Sequence, residues 1–287
     1  MKTREASTTS IEGSIAKTGE LDICTIYDMG SSKSKQSEDD EGPVLPSAPE
    51  LSVLRTCRQR EEESQLGKLG AELIREFTKS SGPSYWEKMK SNATLVTVKS
   101  GTQEWKAAAR HFQKTVSDKS IVKIERCQNT YLWRRYLSRK ISMISKNKGE
   151  INERVLFHGT RSTPSSKICE GESASGFDPR LGNGYYGRGA YFADKAAYST
   201  DSYSHLNSDG TRQIFLAKVL TGITKEYGTG KDTGLKRAPN LPSGHKFFPG
   251  LYDSVAGGPH SGGRVSSRMY VIYDVSQSYP MYLYSYR

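Results

Sequence analysis

From residue 153 onward, the chain consists of short apolar runs rich in branched and aromatic residues, separated by glycine-rich loops. Two helix-like stretches, "PSSKICE" and "DKAAYSTDSY", interrupt this series. Short runs of this kind are typical of β-strands, and here they outnumber the helices and do not alternate with them. The pattern predicts an α+β fold with mainly antiparallel sheets and argues against a doubly wound parallel sheet. The predicted strands are "RVLFHGT", "GAYFAD", "QIFLAKVLTG", "SRMYVIYD" and "YPMYLYSY".

Composition divides the chain into three parts. Residues 1–50 hold five Lys or Arg against ten Asp or Glu with few apolar residues, which predicts a disordered acidic segment. Residues 51–82 are interpreted as a linker with a short amphipathic helix, which packs on the main domain, on a partner, or on neither. Residues 83–287 are predicted to form one folded domain. The apolar positions of the linker helix are Leu66, Leu69, Leu73 and Phe77.

The folded part is strongly basic. The whole chain carries a net charge of +11 although its first 50 residues are acidic, so the remainder is more basic still. A basic surface attracts anions, which include phosphate-bearing small molecules, acidic proteins and nucleic acids. Charge alone does not choose among these. The sequence shows no zinc finger, RNA-binding signature or recognition helix, so nucleic acid is not expected as the main partner.

The sequence also bears on location and metal content. No stretch reaches the roughly 18 to 20 apolar residues of a membrane span, and the first residues lack the charged-then-apolar order of a signal peptide. We therefore expect an intracellular protein, nuclear or cytoplasmic, without a membrane partner. Its cysteines lie too far apart for paired zinc-ligand spacing, so we interpret Cys24, Cys57, Cys127 and Cys169 as free thiols and expect no metal site.

The strand "ERVLFHGT" ends on His158 followed by Gly159. A histidine beside an apolar run is usually a core residue with its ring hydrogen-bonded. A glycine after it, however, lets a ligand come close enough to use the peptide N–H and C=O together. A paired donor and acceptor of this kind suits a primary carboxamide.

The stretch "GNGYYGRGAYFADKAAYSTDSY" carries four glycines before a short strand and then Tyr198, Ser199 and Tyr203. One interpretation is a turn followed by a tyrosine-rich core. The other is that the tyrosines face a flat cationic ring, where stacking and cation–π attraction contribute on the order of 0.5 to 2 kcal/mol. Nicotinamide joined to ribose is such a ring and also carries a carboxamide.

Six motifs in order link these stretches to a known family: "IERCQN…LW", "ERVLFHGT", "YYGRGAYFAD", "VLTG", "LYDSV" and "MYVIYD…YPMYL". Together they resemble the catalytic domain of the poly(ADP-ribose) polymerase family, most closely its mono-ADP-ribosyltransferase members. The resemblance covers roughly residues 83 to 287. It implies the ADP-ribosyltransferase fold, with split, mainly antiparallel sheets flanked by short helices, and NAD as co-substrate without a metal.

The resemblance also implies roles for individual residues. His158 corresponds to the histidine that binds the nicotinamide ribose, and Gly159 to the residue whose backbone holds the carboxamide. Tyr203 is the implied stacking tyrosine, with Tyr198 as the alternative. Residues 176–187 correspond to the loop over the donor, and residues 224–234 to the loop beside the acceptor. The full set of implied NAD contacts is His158, Gly159, Thr160, Tyr191, Phe192, Ala193, Ser199 and Tyr203.

The third catalytic position departs from the chain-making members, which carry a glutamate there. This chain has Met269, so the implied catalytic triad is His158, Tyr191 and Met269. Methionine cannot accept a proton, so it cannot activate a ribose hydroxyl for chain extension. We therefore expect transfer of a single ADP-ribose, to Asp or Glu of acidic protein acceptors or of the protein itself. The alternative is an inactive pseudoenzyme that serves as a protein-interaction module. The oligomeric state is not predicted.

Overall fold

The computed structural model describes residues 48–79, 82–171, 173–262 and 265–287. Apart from its last three residues, the predicted acidic segment 1–50 lies outside this description. The described chain contains five α-helices and ten strands, with short 3₁₀ turns at Pro179–Leu181 and Val275–Gln277. The helices are α1 Ala48–Thr78, α2 Gln103–Gln113, α3 Thr130–Lys146, α4 Ser165–Cys169 and α5 Ala196–Ser202. The strands are β1 Ala93–Thr97, β2 Ile121–Asn129, β3 Glu153–His158, β4 Ala190–Ala193, β5 His205–Leu206, β6 Arg212–Leu220, β7 Thr224–Glu226, β8 Ser254–Gly262, β9 Val265–Ile272 and β10 Ser278–Tyr286.

The strands form one sheet in the order β1-β2-β10-β6-β3-β4-β9-β8-β7, with β5 paired to β6. Every pairing is antiparallel except that of β7 with β8. The prediction of an α+β fold with mainly antiparallel strands is therefore confirmed. The junction of β3 and β4 consists of a single residue pair, Phe157 with Ala193. The sheet consequently opens there, and its two parts diverge.

The strand β10 lies in the centre of the larger part of the sheet, between β2 and β6. All nine of its residues are buried. Its tyrosines pack inward, and their hydroxyl groups find partners, because a buried hydroxyl without one is costly. Tyr279 donates to the carbonyl of Cys127 at 2.7 Å, and Tyr284 donates to that of Ala108 at 3.0 Å.

The linker helix is longer than predicted and packs on the folded domain. It runs over 31 residues, and its second half lies on α3 with Leu73 buried and Leu66, Leu69 and Phe77 partly buried against the core. The guanidinium of Arg134 lies over the ring of Phe77, 5.3 Å from its centroid. Of the three alternatives left open by the sequence, the structure shows packing on the main domain.

The carboxylate of Asp253 ties three segments together behind the sheet. It is fully buried and accepts hydrogen bonds from Lys146 Nζ at 2.8 Å, Asn147 Nδ2 at 2.7 Å and the backbone N–H of Ile223 at 2.9 Å. These donors belong to the end of α3 and to the turn between β6 and β7. A buried carboxylate with this many partners fixes the position of both elements.

Two smaller findings concern cysteines and membranes. Cys127 and Cys169 are buried free thiols, as predicted, whereas Cys24 and the side chain of Cys57 lie outside the description. None of the described helices combines the length and the apolar character needed to span a bilayer.

Candidate active site

A cavity of about 380 Å³ lies where β3 and β4 diverge. Its walls come from the end of β3, the loop of residues 177–186, the strand β4, the helix α5 and the facing strand β9. Eight of the nine residues predicted for the site line this cavity: His158, Gly159, Thr160, Tyr191, Ala193, Ser199, Tyr203 and Met269.

His158 lies at the end of β3 with its ring fixed from two sides. Its Nδ1 is 2.6 Å from the carbonyl oxygen of Tyr191, so Nδ1 carries the proton and donates it. Nε2 is then left as the acceptor of the neutral ring. Burial lowers the pKa of His158 from its ordinary 6.5 to about 4, which keeps the ring neutral near pH 7. The ring can therefore accept a hydrogen bond from a hydroxyl group in the cavity.

Phe192 is the one predicted residue that does not line the cavity. Along β4, Tyr191 and Ala193 line the cavity, whereas Phe192 between them does not and belongs to a separate hydrophobic cluster. Its ring is fully buried and lies 5.2 Å from that of His158. The ring of Phe177 lies 4.6 Å from the same histidine. We correct the prediction accordingly: Phe192 packs behind His158 and helps to orient it.

Lowering the pH from about 7 to about 5 is expected to reduce the stability of the fold. In the unfolded chain His158 takes up a proton near its ordinary pKa of 6.5, but in the folded protein it stays neutral until the pH approaches about 4. The unfolded state therefore binds more protons in this window, and stability falls as the pH drops through it. Melting temperatures of the wild type and of His158→Gln across the window test this, since the variant should show the shallower dependence. The partly buried His111, whose pKa is also lowered to about 4 by desolvation, acts in the same direction and is unchanged in both proteins. Equal slopes for the two proteins would contradict the prediction.

Gly159 allows two backbone segments to lie close together. A Cβ at this position would lie 2.4 Å from the carbonyl oxygen of Tyr203, a distance that real Cβ atoms do not reach. That same carbonyl accepts a hydrogen bond from the N–H of Arg161 at 2.9 Å. From the sequence we predicted that Gly159 lets a ligand approach the backbone closely. The structure adds that a side chain here would displace Tyr203.

Three of the tyrosines that line the cavity were singled out from the sequence: Tyr191, Tyr198 and Tyr203. The rings of Tyr198 and Tyr203 are stacked at 5.3 Å with an angle of 22° between them. Both therefore lie at the cavity, and the sequence had left the choice between them open. The hydroxyl of Tyr191 accepts from the N–H of Tyr186 at 2.9 Å and donates to the carbonyl of Gly187 at 2.7 Å. Because this hydroxyl is engaged, Tyr191 offers its ring to the cavity.

Ser199 and Thr160 complete the predicted polar contacts. Ser199 is buried in α5 at the cavity wall. The hydroxyl of Thr160 donates to the carbonyl of Thr163 at 2.6 Å, so it holds the turn after β3. The backbone of Thr160 remains at the cavity wall.

Met269 lies in β9 between Ala193 of β4 and Gly257 of β8. It is 7% exposed and forms part of the cavity wall. Among the described lining residues the sole carboxylate is that of Asp178, which is bound by Arg180 at 2.7 Å. Hydrogen bonds from Arg180 lower the pKa of Asp178. The wall at Met269 thus presents a thioether, which cannot accept a proton.

The sequence did not single out several other lining residues. Tyr185 and Tyr186 follow the glycines of the loop, and the hydroxyl of Tyr186 lies 2.7 Å from Nε2 of His260. The guanidinium of Arg161 lies 4.4 Å over the ring of Tyr203. The adjacent tyrosines Tyr185 and Tyr186 were the one sequence feature that could have indicated these lining residues. Whether their side chains face the cavity depends on the course of the loop, which periodicity does not predict.

Comparisons with known proteins all identify the same family. The family described as "Poly(ADP-ribose) polymerase catalytic domain" matches residues 102–287. The chain is 32% identical over 221 residues to human protein mono-ADP-ribosyltransferase PARP14, covering 75% of this chain and 11% of that protein. It is 31% identical over 226 residues to mouse protein mono-ADP-ribosyltransferase PARP11, covering 70% of this chain and 63% of the relative. It is 30% identical over 216 residues to mouse protein mono-ADP-ribosyltransferase PARP12, covering 71% of this chain and 27% of that protein. The matched region is therefore less than two thirds of each of these relatives.

Proposed function

Because this chain belongs to the poly(ADP-ribose) polymerase catalytic-domain family, we propose that it transfers one ADP-ribose from NAD to a carboxylate side chain of a protein and releases nicotinamide. The observation that carries the proposal is the cavity, which brings a neutral histidine, a glycine backbone edge and stacked tyrosines together beside a methionine. The names of the similar proteins support the transfer of single units.

The residues of the cavity fit the nicotinamide end of NAD. The peptide edge at Gly159 suits a carboxamide, the Nε2 of His158 suits a ribose hydroxyl, and the faces of Tyr191 and Tyr203 suit a flat cationic ring. NAD supplies a ribosyl group whose bond to the positively charged nicotinamide breaks with the electron pair leaving on the base. The protein's own contribution is to orient that bond and to exclude water around it.

Met269 favours an acceptor that is already ionised. A hydroxyl acceptor must lose a proton as it attacks, and the thioether of Met269 cannot take that proton as a carboxylate at this position would. An Asp or Glu carboxylate needs no deprotonation at pH 7. This argument supports transfer to carboxylates, and it argues against extension of an ADP-ribose chain, which proceeds through a ribose hydroxyl.

Mass spectrometry of the protein and an added acidic protein after incubation with NAD tests the proposal. We expect adducts of the mass of one ADP-ribose that hydroxylamine removes, as it does from carboxylate esters. A ladder of adducts would contradict the single-unit transfer. Absence of adducts, together with no thermal shift at millimolar NAD, would favour the pseudoenzyme, because a ligand that binds only the folded state must raise the melting temperature.

Replacing Met269 with glutamate is expected to raise the rate of NAD turnover with hydroxyl acceptors, water included, by about tenfold or more. A charge-assisted hydrogen bond to a ribose hydroxyl contributes on the order of 1.5 to 3 kcal/mol, and the new carboxylate also accepts a proton. Release of nicotinamide measures the rate. Met269→Gln is the matched control, since it has the same shape without the charge, and it should leave the rate near that of the wild type. An equal gain in both variants would show that polarity alone, without a base, is responsible. Chains need not form, because the acceptor loop must also hold an ADP-ribose end.

A further inference from the structure

A loop of basic residues lies against the cavity at its tyrosine edge. This rim loop, residues 227–237, is held by its backbone to the segment that precedes β4. The N–H of Asp232 donates to the carbonyl of Tyr185 at 2.7 Å, and the N–H of Arg188 donates to the carbonyl of Leu235 at 2.8 Å. A Cβ on Gly187 would lie 1.9 Å from that Leu235 oxygen, so only glycine permits this contact.

Lys231 in the rim loop places a positive charge at the cavity mouth. Its Nζ lies 4.0 Å from the centroid of the Tyr185 ring. Tyr185 lines the cavity and is 38% exposed, and its ring also contacts that of His260 at 4.8 Å. A cation–π contact with Tyr185 therefore holds the ammonium group at the border of the cavity, whereas an ordinary surface lysine extends into solvent.

The charge of Lys231 is not neutralised by a carboxylate of the described chain, in contrast to the charge of Arg268. Arg268, which precedes Met269 in β9, is paired with Glu226. The carboxylate of Asp232 accepts a hydrogen bond from the hydroxyl of Tyr227 at 3.2 Å. Within the described ranges, no carboxylate is in ion-pair distance of Lys231, whose side chain is exposed. The mouth of the cavity thus holds an ammonium group that is available to an anion from outside.

We propose that Lys231 selects acceptor polypeptides by pairing with a carboxylate that flanks the residue to be modified. This inference rests on the proposed function and names the partner's chemistry at the same site. The lysine does not line the cavity that fits the nicotinamide end of the donor, and it lies over Tyr185 at the border of that cavity, on the side from which an acceptor would have to enter. A compact ammonium accepts carboxylates from several directions, which suits a set of acidic sequences better than one fixed sequence.

Lys231→Glu tests the proposal with two peptides. One is a fluorescently labelled peptide with a central glutamate flanked by aspartates, and the other has asparagines in place of the aspartates. We expect the charge reversal to weaken binding of the aspartate peptide by about five- to tenfold and to leave the asparagine peptide unchanged. The same preference should appear as a raised KM for the aspartate peptide in transfer assays.

Lys106→Glu is the matched control, because Lys106 is an exposed lysine of α2 away from the cavity and its reversal changes the net charge equally. If both variants bind the aspartate peptide equally weakly, the loss of binding is due to the overall charge, and the proposal is overturned. No change in Lys231→Glu, or tighter binding of a single-stranded RNA than of the aspartate peptide, would also overturn it. Anisotropy is measured without NAD, so a protein that binds the peptide but transfers nothing would refute the proposed function while supporting this inference.

Discussion

Replacing His158 with alanine is expected to lower the rate of ADP-ribose transfer by about 100-fold or more, because the substitution removes both a hydrogen bond to the donor and the orientation it provides. The neutral ring, held through Nδ1 by the carbonyl of Tyr191, directs Nε2 at the cavity. Alanine offers no acceptor in its place. Nicotinamide release and adduct formation under saturating acceptor measure the loss.

The fold should survive this substitution. His158 lies at the end of β3, and the neighbouring rings of Phe177 and Phe192 remain in contact with each other at 5.3 Å. We therefore expect a single cooperative unfolding transition in His158→Ala. His245→Ala is the control, since His245 lies in a loop where its Nδ1 accepts from the N–H of Phe247. Transfer by His158→Ala at the rate of His245→Ala would refute the assignment of the donor site.

Replacing Asp253 with alanine is expected to destabilise the fold by about 3 to 5 kcal/mol, since breaking a buried charge network leaves its partners without an acceptor. The orphaned donors are the ammonium of Lys146, the amide of Asn147 and the N–H of Ile223. For a domain of this size the loss corresponds to a fall in melting temperature of roughly 6 to 20 °C. Thermal unfolding measures it directly.

Asp209→Ala provides the matched comparison for Asp253→Ala. Asp209 is an exposed carboxylate that accepts from the N–H and hydroxyl of Thr211, at 2.9 and 2.7 Å. Because water replaces those bonds, its loss should lower the melting temperature far less than the loss of Asp253 does. Similar melting temperatures for the two variants would contradict the prediction that the buried hydrogen bonds of Asp253 stabilise the fold more than the exposed ones of Asp209.

The strands and the cavity were accessible from sequence because their signals are local. The apolar run that ends on His158 and the glycines before β4 each lie within about ten residues, and their order along the chain identified the family. The resemblance implied that the three consecutive residues Tyr191, Phe192 and Ala193 contact NAD, but Phe192 does not line the cavity. Side chains alternate along a strand, so if Tyr191 and Ala193 face the cavity, Phe192 must face away. That alternation was present in the sequence.

Other features have no local signal. Gly67 and Gly70 weaken the helix α1, yet the packing of Leu73 on the core outweighs their cost. The contact between Lys231 and Tyr185 joins positions on two separate loops. Pairings of this kind depend on how the backbone of the rim loop meets the segment before β4, which no periodicity predicts.

Because β10 lies in the centre of the sheet and is synthesised last of the ten strands, the sheet cannot be completed until late in translation. Tyr279 bonds to the carbonyl of Cys127, 152 positions earlier in the chain. At the usual speed of translation, a ribosome needs roughly 8 to 30 s to make a segment of that length. During this interval β2 has been synthesised without β10, so the edge that β10 covers in the folded protein is open to pairing with other strands. Nascent chains stalled before residue 278 should therefore be more readily digested by protease across β2 than chains that also contain residues 278–287.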